Sequence, residues 1–297
     1  MCNYDWASMK KRLSLTYREQ RISLLCIIAV LLTASAIPHS IAFAQKKGIE
    51  IPYVPTPMPV VKQMLHMANL DSTDYLIDLG SGDGRVVIAA AKMGAVAHGV
   101  DINPVLNVKA RRNASEAGVR ERVIFLEKDL FYEDISRASV VTMYLLPSIN
   151  LALRPILLEQ LTPGTRLISH SFDMGDWKPD KWWQSNPDST NGRMHPLYMW
   201  IIPAEVAGDW SWSLDGRIFS ANISQEYQEV SVSVSAGDNP GNVIEPKLKG
   251  GRIRFRLDLN NEYHIYSGAL EDNAFRGTVQ IYRSDTRLVL PWEAFQE

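Results

Sequence analysis

The stretch that decides the fold is Tyr75–Gly84, which reads Tyr-Leu-Ile-Asp-Leu-Gly-Ser-Gly-Asp-Gly. Its apolar start predicts a buried β-strand, and the alanine-rich segment Arg85–Met93 after it predicts a helix. The glycines at positions 80, 82 and 84 allow positive φ angles and let the backbone pass close to a ligand. The free N–H groups at the start of the helix favour an anionic or electron-rich group. The stretch therefore predicts a strand, a turn and a helix that together bind a nucleotide-like ligand.

The spacing of the glycines distinguishes two nucleotide-binding patterns. The dinucleotide pattern is G-x-G-x-x-G, with an acidic residue about 20 positions further on. Here the spacing is G-x-G-x-G, and Asp78 precedes the first glycine. This arrangement resembles motif I of the class I S-adenosylmethionine (SAM) methyltransferases, in which the acid faces the methionine part of the cofactor. A glycine turn without a ligand is the structural alternative.

A wider resemblance extends over residues 52–179. The segments that carry it are Pro52-Tyr53-Val54-Pro55, Asp78–Arg85, Asn103-Pro104 and Trp177-Lys178-Pro179. They resemble the mitochondrial protein-lysine methyltransferases that act on the ATP synthase c-subunit and the adenine nucleotide translocase, with their bacterial relatives. The resemblance implies a seven-strand SAM domain, an N-terminal membrane or targeting segment, and a protein-lysine acceptor.

Three features depart from that family pattern. The acid after the second strand is usually glutamate in the family, and here it is Asp101. The segment after the fourth strand differs except for Pro147, and the β-rich C-terminal part lies outside the pattern. The methyl acceptor therefore stays open between a protein amine and a small molecule.

Residues 45–203 alternate strand and helix patterns, which is typical of a parallel α/β sheet. Strands are predicted at Tyr75–Ile77, Val96–Val100, Val123–Leu126, Ser139–Leu146, Arg166–His170 and Met194–Ile202. Helices are predicted at Val60–Leu70 and Ile149–Leu161, the second interrupted at Pro155, and residues 173–191 are predicted to form a loop or lid. The fold class is α/β: a doubly wound, mostly parallel, seven-strand-type (Rossmann-like) methyltransferase sheet.

Right-handed crossovers would bring the carboxyl ends of these strands to one edge of the sheet, where ligands bind. The residues expected to cluster there are Asp78, Asp101, Asp129, Tyr144 and His170. In a SAM site, Asp78 would accept a hydrogen bond from the ammonium group of the cofactor. Asp101, at the end of the second strand, would accept from the ribose hydroxyls. The turn residues expected to approach the amino-acid half of SAM are Gly80, Ser81, Gly82 and Gly84.

The adenine end of SAM is assigned to the third strand. Asp129 would accept from the adenine amino group, while Ile102 and Leu130 pack on the ring. A helix N-cap is the alternative for Asp129. Tyr53 and Thr56 are expected to border the cofactor pocket.

Methyl transfer from a sulfonium is an in-line displacement, so the enzyme mainly aligns the groups and excludes water. Tyr144 and Pro147 are predicted to line the methyl-transfer mouth, a name used below for these two residues. His170 and Asp173 are candidates for a general base, and an ordinary strand-end hydrogen bond is the alternative for His170. Ser81 lies in G-S-G rather than the G-x-S-x-G elbow of a serine hydrolase.

From residue 204 onward the helical period gives way to short alternating stretches separated by turn signals such as Asp215-Gly216 and Gly250-Gly251. This pattern predicts a small antiparallel β-barrel or sandwich. Gly237–Gly241 is interpreted as a further turn. The predicted organisation is a leader (1–44), a methyltransferase domain (45–203) and a β-rich C-terminal domain (204–297).

The N-terminal 44 residues carry a targeting pattern. Basic residues precede an uncharged apolar run at 22–37, and Ala42-Phe43-Ala44 forms an A-x-A site. This pattern predicts a secretory signal peptide with translation beginning at Met9, and hence export to the periplasm. An uncleaved membrane anchor is the alternative, and a position on the cytoplasmic face stays open. Both cysteines precede the predicted cleavage site, so no disulfide is expected in the mature protein.

Composition limits the partners. The chain has 297 residues and a net charge of −2, so no nucleic-acid partner is expected. Its six histidines are scattered without ligand spacing, so no metal site is predicted. Three functions remain: a SAM-dependent methyltransferase for a protein amine, a small-molecule methyltransferase whose β domain holds an apolar ligand, and a non-catalytic envelope binding protein.

Overall fold

The structure is a computed structural model that describes residues 53–187 and 192–297. The chain divides into two compact units, Met1–Tyr53 and Val54–Glu297, and the first is described only at Tyr53. The predicted leader (1–44), its apolar run and the start at Met9 lie outside the described residues. Within the described ranges, no helix is long and apolar enough to cross a membrane.

Seven strands form one sheet in the second unit. Their bounds are Tyr75–Leu79 (β1), Val96–Asp101 (β2), Val123–Glu127 (β3), Val140–Met143 (β4), Arg166–His170 (β5), Lys181–Gln184 (β6) and Pro196–Ile201 (β7). The order across the sheet is β3-β2-β1-β4-β5-β7-β6; β1 to β5 are parallel, and β7 is antiparallel to both of its neighbours. The predicted doubly wound, mostly parallel α/β sheet is confirmed.

Helices cover both faces of this sheet. Their bounds are Met58–Met67 (α1), Arg85–Lys92 (α2), Pro104–Glu116 (α3) and Pro147–Gln160 (α4). Successive side chains of a strand point to opposite faces. Leu76 therefore packs in the core formed with α1, α2 and α3, whereas Ile77 packs in the core formed with α4. Both faces of the central strands are buried, which explains their nearly continuous apolar sequences.

Two local predictions are wrong. Helix α4 continues through Pro155, which lies on the exposed side of the helix, where water can bond the carbonyl that a proline leaves unpaired. Residues 173–191 are not all loop, because Lys181–Gln184 forms strand β6 against β7. All four residues of β6 are exposed, so this strand lacks the apolar alternation that reveals a strand in sequence.

Eight further strands close into an antiparallel barrel, so the barrel alternative is correct. Their bounds are Gly208–Leu214 (β8), Arg217–Glu226 (β9), Glu229–Ala236 (β10), Asn239–Lys249 (β11), Arg252–Leu259 (β12), Glu262–Glu271 (β13), Ala274–Arg283 (β14) and Thr286–Gln296 (β15). Strand β11 was not predicted, because it begins inside the glycine-rich segment Gly237–Gly241 and contains Pro240.

Aromatic side chains fill the interior of the barrel. Trp212 stacks on Phe219 with ring centroids 5.3 Å apart, and Tyr266 stacks on Phe255 at 4.8 Å. Trp292 contacts both Tyr266 and Phe255. All five residues are at most 4% exposed. Aromatic side chains therefore fill the centre of the barrel, where the small-molecule hypothesis places an apolar ligand.

Candidate functional site

The candidate site lies where the chain reverses direction across the sheet. From β1 the chain continues to β2 on one side and later returns to β4 on the other, which creates a crevice at the carboxyl ends of β1 and β4. The glycine turn between β1 and α2 covers this edge. Its backbone is fixed because the amides of Gly80 and Ser81 both donate to the carbonyl of Val100, at 2.8 and 3.0 Å.

The glycine turn presents backbone rather than side chains to this crevice. Gly80 has φ +80° and is exposed, and a Cβ added there would lie 2.8 Å from Leu145. Gly84 has φ +79° and forms the N-cap of α2. The side chain of Ser81 is buried, and its Oγ has no hydrogen-bond partner. A Cβ on Gly99 would be 2.7 Å from that Oγ. The Ser81 side chain therefore packs against β2 rather than pointing into the crevice.

Asp78 is a buried carboxylate at the end of β1. It is 5% exposed and accepts a hydrogen bond from Thr142 Oγ on β4 at 2.6 Å. Burial raises the pKa of Asp78 to about 7; the bond from Thr142 opposes this effect, and the nearby carboxylates of Asp101 and Asp83 add to it. A cation placed against Asp78 would stabilise its charged form. Sequence reasoning missed Thr142, since nothing local marks a threonine in a buried strand.

Asp101 ends β2 and connects the turn to the start of α3. One carboxylate oxygen accepts from the amide of Gly82, and the other accepts from the amide of Asn103, both at 2.8 Å. Each carboxylate oxygen can accept a second hydrogen bond, which is what two ribose hydroxyls require. The neighbouring Ile102 is 69% exposed, so it presents an apolar surface beside this carboxylate.

At the end of β3, the structure places Asp129 as the N-cap of a short 3₁₀ helix at Leu130–Tyr132. One of its oxygens accepts from the amide of Phe131 at 3.0 Å, which is the N-cap alternative raised for this residue. The other oxygen can still accept a bond from an adenine amino group. Leu130 is half-buried and packs against the α4 side of the core.

An arginine that the sequence analysis did not assign holds the segment before α1 against the turn. Arg85 donates to both carboxylate oxygens of Asp83, at 2.9 and 2.8 Å, and to the carbonyl of Thr56 at 2.9 Å. Thr56 is buried, so its side chain lies beneath the edge rather than in open solvent. Tyr53 belongs to the other compact unit and is 41% exposed.

The methyl-transfer mouth is backed by stacked rings. Tyr144 lies with its ring centroid 3.9 Å from that of His170 and 6.1 Å from that of Phe172. Pro147 is exposed and begins α4. Phe172 was not singled out from sequence, because it becomes relevant only when the loop after β5 folds back on the end of β4.

His170 is completely buried behind Tyr144. Its Nδ1 is 3.0 Å from Thr56 Oγ, and its Nε2 is 3.0 Å from His195 Nδ1. Burial, assisted by the charges of His195 and Arg193, lowers the pKa of His170 to about 3, so the ring is neutral at physiological pH. A base at this position would have to release one of these partners to reach a nucleophile. The geometry thus favours the ordinary buried hydrogen bond that was the alternative for His170.

These residues fit SAM in four respects. The exposed backbone at Gly80 leaves room for the amino-acid half of the cofactor. The buried carboxylate of Asp78 has the chemistry to pair with an ammonium group, and Asp101 has the chemistry to bind two vicinal hydroxyls. The exposed Ile102 beside Asp101 suits the face of a purine ring. The assignment of individual residues to the cofactor stays a prediction.

Comparison with known proteins supports the same cofactor. The sequence model of the ANTKMT methyltransferase domain family matches residues 78–181. A protein-lysine N-methyltransferase of Saccharolobus islandicus is 41% identical over 154 residues, which cover 51% of this chain and 94% of that protein. The adenine nucleotide translocase lysine N-methyltransferase of Mus musculus is 31% identical over 171 residues, covering 54% and 74%.

Other matches are partial. The ATP synthase c-subunit lysine N-methyltransferase of Xenopus laevis is 37% identical, but the chain spans only 57% of its length. A crystal structure of an RNA methyltransferase from Salinibacter ruber in complex with S-adenosyl-L-homocysteine is 54% identical. It covers 52% of this chain and 96% of that chain, with a TM-score of 0.48. The family, the glycine turn and the acidic edge agree: the chain belongs to the SAM-dependent methyltransferase family that contains these protein-lysine N-methyltransferases.

Proposed function

We propose that this chain transfers the methyl group of SAM to the ε-amine of a protein lysine. The observation that carries the proposal is the combination of an acidic edge with a neutral aromatic mouth. Asp78, Asp101 and Asp129 lie at or just beyond the carboxyl ends of three adjacent strands, while His170 behind the mouth is held neutral. Such an edge suits a cationic cofactor and an acceptor that is cationic in water. Relatives named as lysine methyltransferases support the same acceptor class.

The reaction requires the protein mainly to position the reacting groups. Bound SAM would supply an electrophilic methyl group on a sulfonium. The amine, having lost a proton to solvent, would form the new N–C bond as the C–S bond breaks and S-adenosylhomocysteine leaves. Asp78 and Asp101 would hold the two ends of the cofactor. The Tyr144 ring would guide the alkyl stem of the lysine and exclude water, which favours the neutral, nucleophilic amine.

Methyl transfer from radiolabelled SAM tests the proposal. The acceptors are the purified ATP synthase c-subunit, the adenine nucleotide translocase and casein, each with free or fully acetylated lysines, together with ribosomal RNA. We expect label in at least one protein with free lysines, loss of that label after acetylation, and none with the variant Asp101→Ala. Label in RNA, or label that survives acetylation, would contradict the lysine proposal while leaving the SAM activity in place.

We also propose that residues 1–44 direct the protein to the cell envelope, either as a cleaved signal or as an anchor through residues 22–37. The basic start, the apolar run and the A-x-A site support this proposal. N-terminal sequencing of the protein from fractionated cells tests it. A mature chain starting at Gln45 in the periplasm is expected for a cleaved signal, and an intact leader in the membrane fraction for an anchor. An intact leader in the cytoplasm would contradict both.

A further inference from the structure

The barrel contacts the methyltransferase part through hairpin turns at one of its ends. The turn between β11 and β12 places Gly250 against the backbone of Gly164, and the carbonyl of Gly250 accepts from the amide of Ala204 at 3.0 Å. The turn between β9 and β10, formed by Tyr227 and Gln228, contacts the loop between β5 and β6. We call residues 171–180 the post-β5 loop.

The Tyr227–Gln228 turn holds the C-terminal half of the post-β5 loop through side-chain contacts. Trp177 is completely buried; its indole N–H donates to Gln228 Oε1 at 2.7 Å, and its ring stacks on Tyr227 with centroids 5.5 Å apart. Gln228 also donates from Nε2 to the carbonyl of Lys178 at 2.6 Å. Arg154 of α4 lies over the Tyr227 ring and pairs with Asp176 of the loop. One barrel turn therefore touches the loop by stacking, by hydrogen bonds and through Arg154.

The residues of this turn are unusual for its geometry. Glu226 pairs with Glu229, so Tyr227 and Gln228 are the two central residues of a tight hairpin, and Tyr227 has φ +56°. Two-residue hairpins with positive φ favour glycine, asparagine or aspartate there, as at the Asp215-Gly216 turn of the same barrel. A bulky residue in this region is strained, and such strain persists only where the surrounding structure holds the residue in place. The contacts with Trp177 hold Tyr227 in this way.

The other half of the post-β5 loop borders the methyl-transfer mouth. Phe172 stacks on Tyr144, and the carbonyl of Phe172 accepts from Asn150 of α4 and from Ser169 of β5. The loop is thus held by the sheet and α4 near the mouth. Near Trp177 it is held by the barrel turn and by Trp200 of β7, whose indole N–H donates to the carbonyl of Trp177 at 2.9 Å. Only Asp173–Asp176 separate Phe172 from Trp177, so one short segment connects the mouth with the part of the loop that the barrel turn contacts.

We infer that Tyr227 and Gln228 are positioning residues for methyl transfer: the barrel turn fixes the post-β5 loop, and the loop in turn fixes the Tyr144 ring. The barrel then stabilises the methyl-transfer mouth through this loop rather than carrying a ligand; this stabilising contact is called the brace below. This inference rests on the placement of methyl transfer at Tyr144 under the proposed function. It does not depend on the identity of the acceptor.

Hydrogen exchange on the full chain saturated with S-adenosylhomocysteine tests the brace. The variant Tyr227→Gly removes the ring and also relieves the positive φ, so the hairpin itself stays formed. We expect exchange in peptides from the post-β5 loop to become at least tenfold faster in Tyr227→Gly and Gln228→Ala. It should stay at the wild-type rate in Tyr227→Phe, which keeps the stacking ring. The matched control is Ser284→Gly, at a positive-φ turn position at the opposite end of the barrel.

The consequence for catalysis is measured separately, by steady-state methyl transfer to the acceptor found above. We expect kcat to fall at least tenfold in Tyr227→Gly with the KM for SAM unchanged. In Tyr227→Phe, kcat should stay at the wild-type value. Unchanged loop exchange in Tyr227→Gly, or equal loosening in Ser284→Gly, would overturn the brace. A loosened loop with a wild-type kcat would overturn its link to the mouth. Absence of acceptor methylation in every variant, wild type included, would fault the proposed function and leave the exchange result standing.

Discussion

Replacing Asp78 by asparagine should stabilise the cofactor-free protein and at the same time abolish SAM binding. Asp78 is buried, and burial is the main cause that raises its pKa from 3.8 to about 7. At neutral pH and above, the fold therefore carries an ionised carboxylate at a cost in stability. Asparagine keeps an oxygen that can accept from Thr142 but has no charge to bury.

The size of the effect follows from the linkage between protonation and folding. A pKa that is higher in the folded than in the unfolded chain gives stability that is fully present below the unfolded value and is lost as the pH rises through the folded value. A rise from 3.8 to about 7 corresponds to a free-energy difference on the order of 4 kcal/mol at alkaline pH. Part of that difference is already present at pH 5. The stability gained by Asp78→Asn should therefore increase by about 2–3 kcal/mol between pH 5 and pH 8.

Urea unfolding of the wild type and of Asp78→Asn at pH 5 and pH 8, without cofactor, measures this change. Only the change in the difference between the two proteins is compared, which removes the contribution of every other titrating group. Adding SAM at 100 times its Kd should stabilise the wild type by about 2.7 kcal/mol and leave Asp78→Asn unaffected. A difference that does not grow with pH would refute the buried-charge argument, and retained stabilisation by SAM would refute the ammonium pairing.

Three further substitutions test other parts of the site. Gly80→Ala should lower the free energy of unfolding by about 1–2 kcal/mol, because an L-residue is strained at φ +80°. It should also weaken SAM binding, measured by calorimetry, at least tenfold. The control Gly164→Ala, at φ +100° with no atom near the added Cβ, should leave that affinity unchanged. Thr142→Val removes the hydrogen bond that lowers the pKa of Asp78, so the pH at which SAM affinity is half-maximal should rise by about one unit; an unchanged midpoint would contradict this. His170→Gln should reduce the loss of unfolding free energy between pH 6.5 and pH 3. A pKa lowered from 6.5 to about 3 gives stability that is present above pH 6.5 and is lost as the pH falls towards 3. An equally steep loss in the variant would show that another group causes it.

Elements whose structure is determined by neighbouring residues were predictable from the sequence. The glycine turn after Asp78 and the acid that ends β2 lie within a few residues of the backbone they organise, so their pattern survives in the linear sequence. The parallel sheet was predictable for a related reason, since strands buried on both faces give continuous apolar runs. Strand β6 escaped because it is an exposed edge strand, and β11 escaped because it begins with glycine and proline.

The environment of His170 shows what a sequence cannot contain. Its two hydrogen-bond partners, Thr56 and His195, lie 114 positions before it and 25 positions after it. Only the folded chain brings these partners to one point and buries the ring, and that burial is the main cause that keeps the histidine neutral. Whether a titratable residue acts as a base is therefore decided by contacts at long sequence separation.

The Tyr227–Gln228 turn is an intermediate case, because its role leaves a local trace that can be recognised. A tight hairpin turn that placed no demand on its side chains would use glycine or asparagine, which adopt positive φ with little strain. Tyrosine at φ +56° breaks that local preference, and the compensating gain appears 50 residues earlier in the chain, at Trp177. Natural sequences tend to break local rules at functional sites and recover the cost elsewhere. The same reasoning applies to other turns. A bulky residue at a turn position that prefers glycine indicates that its side chain contacts another segment of the protein, even when that segment is not yet identified.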